Sequence, residues 1–168
     1  MERRIRVAMI MGSDREGRFC DTVARWVAQK IEERPEYTLD IIDPLEVGLP
    51  NRLLQAQPQV VRDYRERIAK ADAFVVVVPE YNHGYPAAIK NLIDHADEEW
   101  YAKPVAFVSY GGISGGLRAV EQLRLVFAEL HAVTIRDTVS FHLARQRFDE
   151  RGEPVDPVGV GNAMNILL

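Results

Sequence analysis

Residues 74–78 read Phe-Val-Val-Val-Val and run straight into Pro79. A strand with one wet face alternates apolar and polar residues, so a run that is apolar at every position belongs to a strand covered on both faces. Such strands sit inside parallel sheets layered by helices, and the rest of the chain falls in with that arrangement. Short β-branched or apolar runs at 5–11, 39–42, 105–110 and within 133–141 supply four more strands, which makes five. Between them lie segments of helical period. The first begins at Asp21 or Thr22, turns Val23, Trp26, Val27 and Ile31 to one face, and ends before Pro35. A second follows Pro58, which suits a first helical turn, with Val60, Val61, Tyr64 and Ile68 inward. A third runs from Pro86 to Ala96, and a fourth from Gly116 to His131 with Leu117, Val120, Leu123, Phe127 and Leu130 recurring at helical spacing. Residues 44–58 carry three prolines and little period and read as a long surface loop. The tail holds Gly152, Pro154 and Pro157 and then a short apolar end, 164–168, read as a segment that packs on a partner.

At 168 residues, 47% of them hydrophobic, the chain can bury one core and not two, so residues 1–168 are read as a single domain. The net charge is −4 with Lys and Arg scattered, which is not the basic footprint of a nucleic-acid binder. Met1, Glu2, Arg3 and Arg4 precede only a short apolar run, too short for a secretory h-region or for the ~20 apolar residues of a membrane span. A cytoplasmic protein is expected, with no membrane partner. Cys20 is the only cysteine, so no intrachain disulfide forms, and no His or Cys cluster has metal-ligand spacing.

In an open parallel sheet, ligands bind outside the carboxyl ends of the strands at the switch point. The loops after strands one, three and four therefore converge, and all three are unusual. The first, from Gly12 and Ser13 through Arg15, Gly17, Arg18 and Phe19, opens a helix with glycines, a hydroxyl and two guanidinium groups, the makings of a phosphate seat. It is not a triphosphate P-loop, because Arg18 and Phe19 stand where Lys and a magnesium-binding hydroxyl are required. Nor does the Cys20 to Arg25 spacing suit a tyrosine phosphatase cradle. The second loop, Pro79-Glu80-Tyr81-Asn82-His83-Gly84-Tyr85-Pro86, is aromatic and polar at the end of the most buried strand, which suits a flat ligand. The third, from Ser109 through Gly111 and Gly112 to Gly116, brings backbone amides within reach of a planar, electron-accepting ring.

Gly12-Ser13-x-Arg15, then Pro79-Glu80-Tyr81-Asn82 with Pro86 and Lys90-Asn91-x-Ile93-Asp94, then the glycine-rich loop at 111–116, closely resemble the NADPH-dependent FMN reductases, quinone reductases included. The likeness spans about Ile5 to His131, and the second motif is its specific part. It implies a flavodoxin-like three-layer α/β sandwich with a five-stranded parallel sheet in order 2-1-3-4-5, FMN as cofactor, NADPH or NADH as co-substrate, and a homodimer or homotetramer. Gly12, Ser13, Arg15, Arg18, Phe19 and Cys20 would hold the phosphate. Pro79, Glu80, Tyr81 and Asn82, with Ser109, Gly111 and Gly112, would frame the isoalloxazine. Arg18 and Cys20 stand where many members have Ser and Asn, and Arg18 is expected to substitute by charge. Ala87 and His95 replace the more usual glycine and tryptophan.

The implied reaction passes hydride from NAD(P)H to flavin N5 and then electrons to a small acceptor such as a quinone or a flavin. It needs no catalytic side chain, and the Gly111 and Gly112 amides are read as stabilising charge on the N1–C2=O edge of the reduced ring. His83 is the one side chain considered as a proton donor to a quinone, although a loop histidine is more commonly solvated. Cys20 is read mainly as a small buried residue filling the turn. Two other readings stand beside this one. The same pocket could serve a non-enzymatic electron carrier. Alternatively, Gly112-x-Ser114-x-Gly116 with Asp137 and His142 follows the order of a serine hydrolase triad, though it leaves the other two loops unexplained.

Overall fold

The computed structural model describes residues 3–168. Five strands, β1 Ile5–Met11, β2 Tyr37–Ile42, β3 Ala73–Pro79, β4 Pro104–Tyr110 and β5 Val133–Phe141, form one sheet in the order β2-β1-β3-β4-β5. Every pairing is parallel. This is the flavodoxin-like arrangement expected from the resemblance, with the order reversing between β1 and β3 at the centre of the sheet.

The unbroken apolar run of β3 is divided between two cores by its pleat. Phe74, Val76 and Val78 join the cluster containing Tyr64, Ile68, Ile89, Leu92, Leu123 and Phe127. Val75 and Val77 point the other way, to Val23, Trp26, Val27, Ile31, Met164 and Leu167. Successive side chains of a strand face opposite sides, so each valine is buried by a different helix layer. Helices α3 (Gln59–Lys70), α4 (Ala87–Asp94) and α5 (Leu117–Glu129) carry the first layer, and α1 (Cys20–Glu32) and α6 (Pro157–Leu167) the second. Each fully buried Val or Ile contributes about 1.5–3 kcal/mol relative to exposure.

The differences from the sequence reading sit at element ends. The loop at 44–58 opens with a single helical turn, α2 Pro44–Val47, because the Asp43 carboxylate accepts the Leu45 N–H and Pro44 fits the first turn. Val60 is only half-buried while Val61, Tyr64 and Ile68 face the core. Leu117, the first residue of α5, is 46% exposed. The apolar tail folds back on its own chain: α6, capped by Asp156 on the Gly159 N–H, packs on β5 and buries Met164 and Leu167. It lies in the same layer as α1, over β5. No helix among the described residues is long and apolar enough to cross a membrane.

Candidate functional site

At the carboxyl edge of the sheet, beside the β1/β3 switch point, lies a cleft of about 670 Å3 lined by residues 15–19, 79–81, 110–112 and 143–146. That volume lies within the usual range of small-molecule sites, ~300–1,000 Å3.

Helix α1 begins without a side-chain cap. Its N-cap residue is Phe19, whose ring cannot accept a hydrogen bond. The turn before it has one backbone–backbone bond, the Arg18 N–H on the Arg15 carbonyl at 3.0 Å, with Gly17 at φ +63°. Among the described residues, the amides of Glu16, Gly17, Phe19 and Cys20 find no acceptor. Uncapped amides at the positive end of a helix dipole form an anion site. Arg15, exposed and without a carboxylate partner among the described residues, stands beside them in the cleft wall.

Arg18 is employed otherwise than the sequence suggested. Its guanidinium lies bidentate on Asp43, with Nη1 2.7 Å from Oδ1 and Nη2 on Oδ2, while Nη1 also donates to the Ser13 carbonyl at 2.6 Å. Nε donates to Asp21 at 2.9 Å, and Nη2 lies 2.8 Å from the same carboxylate. Of the five N–H donors of an arginine, four are hydrogen-bonded here, and the remaining Nη2 N–H has only the ion-pair contact to Asp21. Hydrogen bonding to Asp43 holds the Arg18 pKa above its ordinary value, so the charge is permanent yet directed inward. Cys20 is also turned away from the cleft. It is fully buried, with Sγ 3.9 Å from the Val77 carbonyl, and burial pushes its thiol up to about 11. It packs as a small apolar residue at the base of the turn.

Gly12 and Ser13 form the floor of the loop rather than the cleft wall. The Gly12 N–H donates to the Val77 carbonyl at 2.8 Å, and a Cβ at Gly12 would lie 3.0 Å from that carbonyl oxygen. Ser13 is fully buried, and its hydroxyl meets the Tyr81 hydroxyl at 2.7 Å, which ties the first loop to the second.

Pro79, Glu80 and Tyr81 line the cleft; Asn82 and His83 do not. Those two form the centre of a tight turn, with reciprocal bonds between Tyr81 and Gly84 at 2.9 and 3.1 Å and φ of +49° and +72°. Positive φ at two non-glycine residues is strain of the kind that gathers at binding loops. The His83 carbonyl accepts from Gln122 at 2.8 Å, and its exposed ring lies off the cleft. Glu80 bonds Arg118 and Ser114. Burial alone would raise its pKa, and these hydrogen bonds outweigh that and hold the carboxyl below its ordinary value.

The third loop folds tightly because Gly115 and Gly116 adopt positive φ. Ser109, fully buried, and Ser140 both donate to the Gly115 carbonyl, at 2.9 and 2.8 Å. Of the two amides expected at the ring edge, that of Gly111 is taken by the Phe141 carbonyl at 3.2 Å, whereas that of Gly112 has no acceptor among the described residues. The hydrolase arrangement does not assemble: Asp137 is exposed, and His142 Nδ1 is engaged by the Ile113 carbonyl at 2.8 Å.

The sequence reading passed over two parts of the wall. Tyr110 ends β4 and packs edge-on to Phe19 with centroids 6.1 Å apart; burial drives its phenol far above its ordinary pKa. Residues 143–146 follow β5 and are bound to the glycine loop, Leu143 N–H to the Gly112 carbonyl at 2.8 Å and Ala144 N–H to the Gly111 carbonyl at 3.0 Å. No motif marks that segment. Its only sequence signal is that it follows a strand whose carboxyl end shares the same sheet edge.

A cleft with an uncapped helix end and Arg15 at one side, and tyrosines and a free glycine amide at the other, fits a long ligand with an anionic end and a flat end. The family model for NADPH-dependent FMN reductase matches residues 5–146. The chain belongs to this family. A NAD(P)H-dependent FMN reductase of Schizosaccharomyces pombe is 40% identical over 120 residues, 66% of this chain and 60% of that one, so the match leaves two fifths of that relative uncovered. An NADPH:quinone oxidoreductase of Arabidopsis thaliana is 33% identical over 174 aligned residues, covering 98% of this chain and 89% of the other. Among solved structures, FerB, a flavoenzyme NAD(P)H:(acceptor) oxidoreductase of Paracoccus denitrificans, superposes with a TM-score of 0.80 at 22% identity, covering 97% and 93% of the two chains. The fold is common to both.

Proposed function

We propose that the chain binds FMN in the 670 Å3 cleft and uses it to pass electrons from NAD(P)H to a small acceptor of the quinone or flavin class. The observation that carries this reading is the uncapped N-terminus of α1 opening, beside Arg15, into a cleft whose far wall is Tyr81 and the unpaired Gly112 amide. The residues present fit the group. The orphan amides of Glu16, Gly17, Phe19 and Cys20 and the Arg15 guanidinium would take the phosphate. Pro79, Glu80 and Tyr81 on one side and Gly111 and Gly112 on the other would frame the ring, Gly112 offering its N–H to the electron-rich edge. When bound, FMN supplies hydride acceptance and onward electron delivery.

The side chains act by placement. Arg18, held by Asp43 and Ser13, fixes the first loop, and the Ser13–Tyr81 bond sets the second against it. His83, on a turn off the cleft, is not given a proton-transfer role. The relatives' names support the quinone class as acceptor. The whole chain is proposed to act as one cytoplasmic unit and to self-associate, which its exposed Leu45, Leu53 and Leu54 would favour.

The test is the visible spectrum of the purified protein reconstituted with FMN, followed by anaerobic NADPH. Flavin bands that are perturbed on binding and bleach with NADPH support the reductase. A colourless protein that takes up no FMN at micromolar concentration would end this reading, and bleaching only by a protein donor would favour the electron carrier.

A further inference from the structure

With four Arg18 donors hydrogen-bonded to Asp43, Asp21 and Ser13 and its charge paired with both carboxylates, Arg15 is left as the first-loop cation without a carboxylate partner among the described residues. A second free cation enters the same cleft from the segment after β5. Arg145 lines the cleft, is exposed, and has no carboxylate partner among the described residues. Its guanidinium carbon lies 5.4 Å from the centroid of the Phe19 ring, a cation–π contact. Phe19 is the N-cap residue of α1, so this contact seats the charge on the side chain of the residue that opens the helix, whose first amides have no acceptor among the described residues.

The mounting of Arg145 is rigid on both sides. Its backbone follows Leu143, which adopts φ +50°, and the Leu143 and Ala144 amides are bonded to the Gly112 and Gly111 carbonyls. Its side chain rests on a ring wedged against Tyr110, 6.1 Å away, and Phe148, 5.6 Å away. A β-branched or bulky residue forced to positive φ is strained, and a strained backbone kept beside a binding cleft is a place to look for function. The carboxylates facing the cleft are Glu16, which is exposed, and Glu80, which is occupied by Arg118 and Ser114.

Building on the FMN reading, we infer that Arg145 is a phosphate-binding residue that closes the cofactor's anionic end opposite Arg15, in the role the sequence would have given to Arg18. It binds the phosphate by charge and hydrogen bonding, and Arg18 is instead the positioning residue of the loop.

The inference is tested by titrating flavin-free protein with FMN and with riboflavin, which lacks the phosphate. Arg145→Gln is expected to raise the FMN dissociation constant about tenfold and to leave riboflavin binding unchanged. Arg147→Gln, whose Nε is engaged by the His142 carbonyl outside the cleft, should leave both constants unchanged. An equal effect of Arg145→Gln on the two flavins, or none, overturns the assignment. So does unchanged FMN affinity with a raised KM for NADPH but not NADH, which would move Arg145 to the nicotinamide nucleotide. If the unaltered protein binds neither flavin, the FMN reading itself fails; if it binds both equally, the phosphate seat at α1 fails.

Discussion

Arg18 and Asp43 form a bidentate pair whose side chains are 7% and 10% exposed, joining the loop after β1 to the turn after β2. Removing one member of a buried pair typically costs ~3–5 kcal/mol, and Asp21, which stays on Arg18 Nε, keeps the loss of Asp43 toward the low end of that range. Asp43→Asn should therefore lower stability by about 3 kcal/mol, read by chemical denaturation. Burial would raise the Asp43 pKa from its ordinary 3.8, but the Arg18 and Leu45 hydrogen bonds outweigh it and the net shift is downward. A depressed carboxylate stabilises the fold fully above its unfolded pKa, and that contribution is lost as pH falls through the folded value. The unaltered protein should thus lose stability below about pH 4, and Asp43→Asn should show a shallower acid limb. Glu80 and Glu99, also depressed by hydrogen bonds that outweigh burial, keep part of that limb in the variant.

Gly116 sets the third loop. At φ +86°, an added Cβ would lie 2.8 Å from Ser109 Cβ and from Tyr110 N, atoms of the strand itself that have nowhere to move. Gly116→Ala combines left-handed strain with overlap and should cost at least about 2–3 kcal/mol in thermal or chemical unfolding. An unchanged midpoint would show that the loop is looser than it stands here.

Tyr81→Phe removes the shorter of two hydrogen bonds on the fully buried Ser13 hydroxyl, the other coming from the Arg15 N–H at 3.4 Å. The expected loss is about 1–2 kcal/mol of stability. FMN affinity should fall with it, because the bond sets one cofactor loop against the other. Ser13→Ala combined with Tyr81→Phe should cost less than the sum of the two single changes, and strict additivity would argue against a direct interaction.

Arg15→Ala should leave the unfolding midpoint within about 0.5 kcal/mol, since this exposed side chain has no partner among the described residues. FMN binding should weaken about tenfold or more, as measured by quenching of flavin fluorescence. Unchanged affinity would displace the phosphate from the N-terminus of α1.

Cys20 should be inert to a thiol reagent in the folded protein and react at once in guanidinium chloride. Its thiol is buried and titrates near 11, so little thiolate exists at neutral pH. Rapid reaction in the native state would mean that the first loop opens readily.

The family motifs were legible along the chain, but the employment of their residues was not. Gly12, Pro79, Tyr81 and Gly112 lie at the cleft or under its floor as their spacing implied. Arg18 reads as an anion ligand in sequence because its neighbours are glycine and arginine. It becomes an internal clamp because β2, bonded to β1 in register Ile10↔Ile42, delivers Asp43 beside it. A pairing between positions 25 residues apart leaves no mark in either segment.

The sequence by itself determined the five strands, their parallel burial and the apolar faces of the helices, because periodicity and unbroken β-branched runs are local consequences of which side of an element meets water. It also marked the three loops that converge on the cleft. Tertiary structure alone decided that the apolar tail covers its own sheet, that the Gly111 amide is spent on Phe141 while that of Gly112 is free, and that Arg145, not Arg18, brings the second unpaired charge to the cleft. Each of those outcomes turns on which hydrogen-bonding or charged partner arrives from a distant strand, and competition for a donor is settled only when the sheet has brought the candidates together.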